Sequence, residues 1–357
     1  MKVATLTLPL HVNYGAVLQA FALQKALTGL GYNSFLLDIR PSIYKENVFI
    51  SLLSHIKTSF NKFKNDECEY GNLDFEKFIN KHINKTEKIR YSWQLKSKSH
   101  FDAYIVGSDQ VWRKEYALRI EMFYFDFVRS GKTLSYAASF GKSDWTYTPK
   151  QTENCSRLLS KFDAVSVREE SGKSIVSSKM GCTATHVLDP TMIISEQHYH
   201  DLIEESSDKI FSKQDIFCYV LDKNSEKEQL INSLCKEKEM NRVFCNEGLE
   251  DKNKISIENW LQGIRDSGIV VTDSFHGMVF CILFKKDFII MANTQRGYER
   301  FKSLLSELKI TDRLINEKNL REFDYGKLED INYDEVTTLL NKRRIDSIDF
   351  LKNSLSY

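Results

Sequence analysis

Asp273, Ser274 and His276 stand within four residues of one another in the stretch Thr272–Lys286, TDSFHGMVFCILFKK, with Gly277 directly after them. An acid, a hydroxyl and an imidazole in one turn are the parts needed to move a proton. The apolar run SGIVV enters the turn and another apolar run leaves it. A turn that opens a helix presents free backbone N–H groups and a partial positive charge, which suits an anion such as phosphate. Ser274 is placed to cap that helix and His276 to donate or shuttle a proton at neutral pH. Asp273, if close, would fix the tautomer of the imidazole. The same residues also read as a plain helix cap beside a packed histidine, and the motif is too short to decide.

Other turns carry comparable groups. HVNYGAVLQ offers Asn13 as a ligand hydrogen-bonding group or a cap, Tyr14 as a surface for a sugar ring, and Gly15 as its single glycine. It lacks GxGxxG, so it gives a dinucleotide site little support. GSDQVW places Ser108, Asp109 and Gln110 after an apolar run; Asp109 is a candidate base or hydroxyl ligand, and Trp112 is a stacking surface or a core residue. SVREESG places Arg168 where it can form bidentate pairs with a carboxylate or phosphate, or a salt bridge to Glu169 or Glu170. NTQRGYERF offers Arg296 and Arg300, four apart and so on one helical face, facing an anion or solvent. His198 and His200 suggest a metal pair, but no third ligand accompanies them and no metal is expected. GxSxG is absent, which counts against an α/β-hydrolase.

These turns need elements to hold them. KVATLTL, SFLLDIR, DAYIVG, KTLSYAA, FDAVSV and THVLD read as strands, and GAVLQAFALQKALTGLGY between the first two reads as a helix, which makes a βαβ unit. A second set follows from Asp215: strand IFCYVLD, helix SEKEQLINSLCKEKEM, strand RVFCN, helix SIENWLQGIRDSG with Ser256 as N-cap, strand IVVTD, helix GMVFCILFKK and strand DFIIMAN. Residues 44–99 are polar and rich in Lys and Asn, read as inserted helices and loops. The alternation predicts an α/β fold with two Rossmann-like domains facing a cleft, residues 1–195 and 196–330, and a charged C-terminal helix over 331–357 that packs back on the first domain. Open α/β sheets bind ligands beyond the carboxyl ends of their strands, so all these turns are expected to converge on the cleft.

The bulk numbers agree with a globular chain. Its 357 residues suggest two domains, and 42% are hydrophobic, ample for two cores. The 50 basic and 49 acidic residues give no sign of a nucleic-acid partner. No apolar run reaches the roughly 20 residues of a membrane span, and the N-terminus reads as a core strand without a cleavage site. Seven cysteines without a CxxC pair read as buried free thiols in a reducing cytoplasm.

Six segments in order, NYGAVLQAFALQKAL, YIVGSDQVW, LSYAASFG, AVSVREESG, VLDPTMI and VTDSFHGMVFCILFKKDFI, resemble the polysaccharide pyruvyl transferase family. The resemblance runs from about residue 3 to residue 315. It implies a fold like that of the GT-B glycosyltransferases, with the acceptor on the first domain and phosphoenolpyruvate on the second. It implies no cofactor. Pyruvate moves from phosphoenolpyruvate, as a ketal, onto two hydroxyls of a sugar, often the 4- and 6-hydroxyls, and phosphate is released. The acceptor would be a lipid-linked oligosaccharide of capsule or exopolysaccharide assembly, with galactose as the candidate sugar. The work would be done in the cytoplasm at the inner membrane face. The resemblance makes His276 the general acid and Arg168 an anion ligand. Some characterised members carry arginine two residues before this histidine, where this chain has Ser274. Arg296, Arg300 and the helix N-terminus are candidates to replace it, and Asp273 and Asp109 are rival bases. The alternatives are a GT-B glycosyltransferase using a nucleotide sugar, and a two-lobed binding protein.

Overall fold

The structure is a computed structural model that describes residues 1–10, 13–40, 73–90, 94–95, 100–117, 119–206, 208, 210–245, 255–292, 297–316 and 319–356. Two parallel sheets dominate it. The first is built on β1 (Lys2–Leu6), whose side chains after Lys2 are all buried. It runs β2-β1-β3-β4, with β2 Asn33–Leu36, β3 Ala103–Val106 and β4 Lys132–Ser135. Val3 pairs with both Ser34 and Ala103, so β1 lies in the interior of the sheet. Parallel bridges from Leu134 to Ala164 and from Ala138 to Val167 extend the sheet to β5 (Ser166–Val167), which pairs with β6 (Thr185–His186).

The second sheet runs β11-β10-β9-β7-β8, all parallel: β7 Asp215–Tyr219, β8 Asn241–Cys245, β9 Ile269–Thr272, β10 Asp287–Ala292 and β11 Leu314–Asn316. In both sheets the second strand pairs on one side of the first and the third on the other. The chain therefore reverses direction next to β1 and next to β7, and such switch points are where open α/β sheets form crevices.

Helix α1 (Tyr14–Gly29) joins the halves. Asn13 caps it by accepting a hydrogen bond from the Ala16 amide at 2.8 Å. Eleven consecutive residues from Tyr14 to Gln24 are buried, as expected of a helix apolar on every side. Tyr14 stacks on Trp260 with centroids 5.0 Å apart. Trp260 belongs to α7 (Ile257–Asp266), which Ser256 caps as expected. One apolar cluster accordingly holds Val3 and Phe21 from the first half and Trp260 and Phe280 from the second.

The remaining helices in chain order are α2 (Leu73–His82), α3 (Pro149–Leu159), α4 (Glu170–Met180), α5 (Gln197–Glu204), α6 (Ser225–Lys238), α8 (Phe275–Leu283), α9 (Tyr298–Glu307) and α10 (Tyr333–Leu355). Helix α10 returns to the first half: Ser347 Oγ accepts from the Leu188 amide at 3.0 Å, and Arg344 Nε donates to Met192 O at 2.6 Å. No helix among the described residues is long and apolar enough to cross a membrane. Of the cysteines, Cys155, Cys218, Cys245 and Cys281 are buried and Cys182 and Cys235 half-buried, all free; Cys68 lies outside the described residues.

Candidate active site

Strand β9 delivers its carboxyl end into the turn Asp273–Ser274 and then into α8. Thr272 Oγ shapes the turn by donating to Tyr219 O at 2.7 Å and accepting from the Ser274 amide at 3.0 Å. Ser274 caps the helix through the Gly277 amide. His276 is the second residue of α8, and only 7% of it is exposed. Its ring lies directly against Gly15, the second residue of α1. A Cβ on Gly15 would stand 2.0 Å from His276 Nδ1 and 2.3 Å from Cγ, so no larger residue fits while the ring stays in place.

The other ring nitrogen of His276, Nε2, lies 3.6 Å from Asp189 Oδ2. That is ion-pair range but longer than a hydrogen bond, and Nε2 is buried with no hydrogen-bond partner. Asp189 comes from VLDPT, where it caps the 3-10 turn Pro190–Met192. Its Oδ1 accepts from the Thr191 amide at 3.0 Å and from Thr191 Oγ at 2.7 Å. Its Oδ2 accepts from Ser108 Oγ at 2.9 Å and from Arg168 Nη1 at 2.7 Å. Burial alone would push this carboxyl up; His276, Arg168 and Thr191 pull harder and hold it well below the usual carboxylate range. Asp189 is therefore a fixed negative charge from the first half, facing the histidine of the second.

Arg168 follows β5, and 1% of its side chain is exposed. Burial works against its charge, but Asp189, Asp109 and Glu169 outweigh burial and raise its affinity for its proton. One nitrogen is used on Asp189, while Nε and Nη2 are buried and make no hydrogen bond. Asp109 Oδ1 stands 3.7 Å from Nη2. The guanidinium leans on the Phe275 ring at 4.6 Å, and Arg300 leans on the same ring at 5.3 Å. Arg300 sits in the first turn of α9, whose N-cap Gly297 has a φ of 71°. A Cβ at Gly297 would come within 2.6 Å of Arg300 Nε and Nη2. Burial first, and neighbouring Arg168 second, bring the Arg300 guanidinium down to about 10. A cleft of about 320 Å³ opens beside Arg300 between the two halves, lined also by Gly141, Ser143, Glu169, Ser171 and Gly297.

His276, Arg168, Asp109, Ser108, Gly15 and Arg300 thus gather around Asp189 and Phe275. Several other expected ligands are engaged by the protein itself. Both carboxylate oxygens of Asp273 are taken: it accepts from the Leu221 and Asp222 amides at 2.7 and 3.0 Å and from Lys227 Nζ at 2.8 Å, and the Lys227 and Asp273 side chains are 1% and 2% exposed. Asp273 therefore closes the switch point of the second sheet, and the charge expected from it beside His276 comes from Asp189. Tyr14 is stacked in the core and donates to Ile255 O at 2.9 Å, which leaves it no face for a sugar. Trp112 is likewise a core residue, stacked on Tyr124 at 5.1 Å. Asn13 and Ser274 act as caps, and Gln110 accepts from Arg113 Nη1 at 2.8 Å. Arg296 lies outside the described residues. His198 and His200, on α5, belong to no group of three metal-ligating side chains among the described residues.

Asp189 and Phe275 were not anticipated as site residues. The available hint was Asp before Pro at a strand end in VLDPT, a segment that carries the family resemblance without singling out its carboxylate. As a chemical arrangement the site offers a histidine held against a buried carboxylate, two guanidiniums with unused donors, and one half-buried carboxylate, Asp109. That set can protonate a substrate carbon or oxygen, hold an anion and accept a hydroxyl proton.

A family model described as polysaccharide pyruvyl transferase matches residues 13–295. No curated protein matches the chain. Among solved structures, the fold is similar to UDP-GlcNAc 2-epimerase from Neisseria meningitidis bound to UDP-GlcNAc (TM-score 0.53, 11% identity, 99% of each chain covered). It is also similar to Arabidopsis thaliana UGT89C1 complexed with UDP (TM-score 0.52, 10% identity, 99% of each chain covered). At such identities the likeness carries the fold alone, the GT-B type of these glycosyltransferases and epimerases.

Proposed function

Since this chain belongs to the polysaccharide pyruvyl transferase family, we propose that it transfers pyruvate from phosphoenolpyruvate, as a ketal, onto two hydroxyls of a sugar in a lipid-linked polysaccharide precursor. The 4- and 6-hydroxyls of galactose are the candidate pair, and the inner face of the cytoplasmic membrane is the proposed place of work. The observation that carries this reading is the convergence of His276 and Arg168, from different halves of the chain, on the buried carboxylate of Asp189.

The roles follow from what the reaction requires. The His276 imidazolium gives its proton to the methylene carbon of the enol, which becomes a methyl group, and the adjacent carbon becomes oxocarbenium-like. Asp189 holds the imidazolium before the transfer. One sugar hydroxyl attacks that carbon, and its proton passes to Asp109, the half-buried carboxylate beside Arg168. The carbon–oxygen bond to phosphate then breaks with its electron pair on phosphate. The second hydroxyl closes the ring and returns a proton to His276, while the proton on Asp109 leaves with phosphate. Arg168, with Nε and Nη2 unused, holds an anionic group of the donor.

The test is phosphate release and product mass with phosphoenolpyruvate and a galactose-terminated lipid-linked saccharide. His276→Ala is expected to lower turnover by about 100- to 10,000-fold, the usual worth of a general acid, in a chain that still folds, as a melting curve checks. Near-wild-type turnover by this variant would remove His276 from the acid role. Saturable calorimetric binding of nucleotide sugars but not of phosphoenolpyruvate would replace the reading with that of a nucleotide-sugar glycosyltransferase.

A further inference from the structure

Arg300 is an anomaly as an isolated side chain. Only 9% of the residue is exposed, yet among the described residues its guanidinium makes no ion pair and its Nε has no hydrogen-bond partner. A buried charge without a counterion is costly, and such groups ordinarily occur paired. Its neighbour makes the arrangement less favourable still: Arg168 leans on the same Phe275 ring and also has buried, unused N–H groups. The acidic groups nearby offset this only in part: Asp109 and Glu169 both favour the charge on Arg300, but neither forms an ion pair with it, and Asp109 stands instead 3.7 Å from Arg168. Asp189 is committed to Arg168, Ser108 and Thr191, and one oxygen of Glu169 is committed to Ser139 Oγ and the Phe140 amide.

The backbone makes room for this side chain. Gly297 takes a left-handed conformation at the N-cap of α9, and a Cβ there would collide with the Arg300 guanidinium. Arg300 lines an open cleft of about 320 Å³ whose lining also carries Lys142, Asp144, Glu169 and Glu299, and Arg168, buried against the same Phe275 ring, adds unused donors; two such guanidiniums suit a multiply charged oxyanion. Ser274 cannot serve in this way, because its hydroxyl, which accepts from the Gly277 amide as the cap of α8, carries no charge.

We infer that Arg300 and Arg168 together bind a phosphoryl dianion across Phe275, with Arg300 supplying the second cation of the pocket. Resting on the reading of the donor as phosphoenolpyruvate, this assigns Arg300 to the phosphate of the donor and not to its carboxylate. It also gives Phe275 a task, as the apolar ring on which both guanidiniums lean.

The experiment is calorimetric titration of the full chain with inorganic phosphate, phosphoenolpyruvate and pyruvate, for wild type and for Arg300→Ala and Arg300→Gln. Both variants are expected to bind phosphate and phosphoenolpyruvate about 10- to 100-fold more weakly, the worth of charge-assisted hydrogen bonds, and to bind pyruvate within about twofold of wild type. A melting curve confirms folding, and Gln retains volume if Ala does not fold. The inference is overturned if wild type does not bind phosphate, if phosphate binding is indifferent to Arg300, or if pyruvate binding alone is lost. Failure of the parent reading looks different: phosphate would bind through Arg300, yet phosphoenolpyruvate would release no phosphate on addition of a sugar acceptor.

Discussion

Replacing Gly15 with alanine separates the chemistry from the fold. The new methyl carbon would stand 2.0 Å from His276 Nδ1, whereas ordinary contact begins near 3.4 Å. The ring must therefore retreat by the difference, 3.4 − 2.0 = 1.4 Å, or α1 and α8 must part by as much. A misplacement of about 1 Å at a reacting group can cost about 100-fold in rate, so turnover in Gly15→Ala is expected to fall at least that far. Stability should move little, because alanine is the better helix former by up to about 1 kcal/mol, which offsets part of the steric cost. The affinity for phosphoenolpyruvate should stay within about threefold, since neither arginine is touched. The assay is phosphate release at saturating donor, alongside calorimetric donor affinity and a melting curve. Turnover within about threefold of wild type would refute the reasoning: either the ring moves without penalty, or His276 is not the acid.

Two further outcomes follow from the buried charges. Asp189→Asn leaves Arg168 without its closest counter-charge, and breaking a buried pair costs about 3–5 kcal/mol. Because the folded Asp189 carboxyl is held below its ordinary value of 3.8, its contribution is full above that pH and is lost as pH falls below it. The stability gap between wild type and Asp189→Asn in urea titrations should therefore narrow below about pH 4; a gap that widens there would contradict the assignment. For the rival bases, Asp273→Asn should lose about 3–5 kcal/mol of stability, because it removes the carboxylate charge that faces buried Lys227. Asp109→Asn should instead lose about 100-fold or more in turnover at nearly constant melting temperature, and an exchange of these two outcomes would reinstate Asp273.

The fold was legible because its determinants are local. Short apolar runs such as DAYIV and IVVT, rich in β-branched residues and alternating with helical segments, read as buried parallel strands, and glycines and caps mark the helices between them. His276 and Arg168 were legible for the same reason, as polar groups at strand ends. What escaped depends on partners far along the chain. Asp189 acquires its meaning from Ser108, 81 residues away, and from Arg168, 21 residues away. Asp273 loses its catalytic look only once Lys227, 46 residues distant, is seen to hold it. Tyr14 reads as a sugar platform in its strand-to-helix turn, whereas Trp260 covers it from the other half of the molecule. Arg300 was visible as one of a pair, but not as the buried and unpaired charge that it is.

Helix α1 is buried along all eleven residues from Tyr14 to Gln24. A helix without a wet side has no silent positions. In a saturation mutagenesis screen for function this whole segment would register as intolerant, with the signature usually taken to outline a catalytic loop. Most of that signal would report crowding between two sheets. Gly15 would be the exception: a methyl group there should leave abundant, folded protein and abolish turnover. Screening abundance and activity in parallel would therefore pick this one residue out of an otherwise uniform stretch.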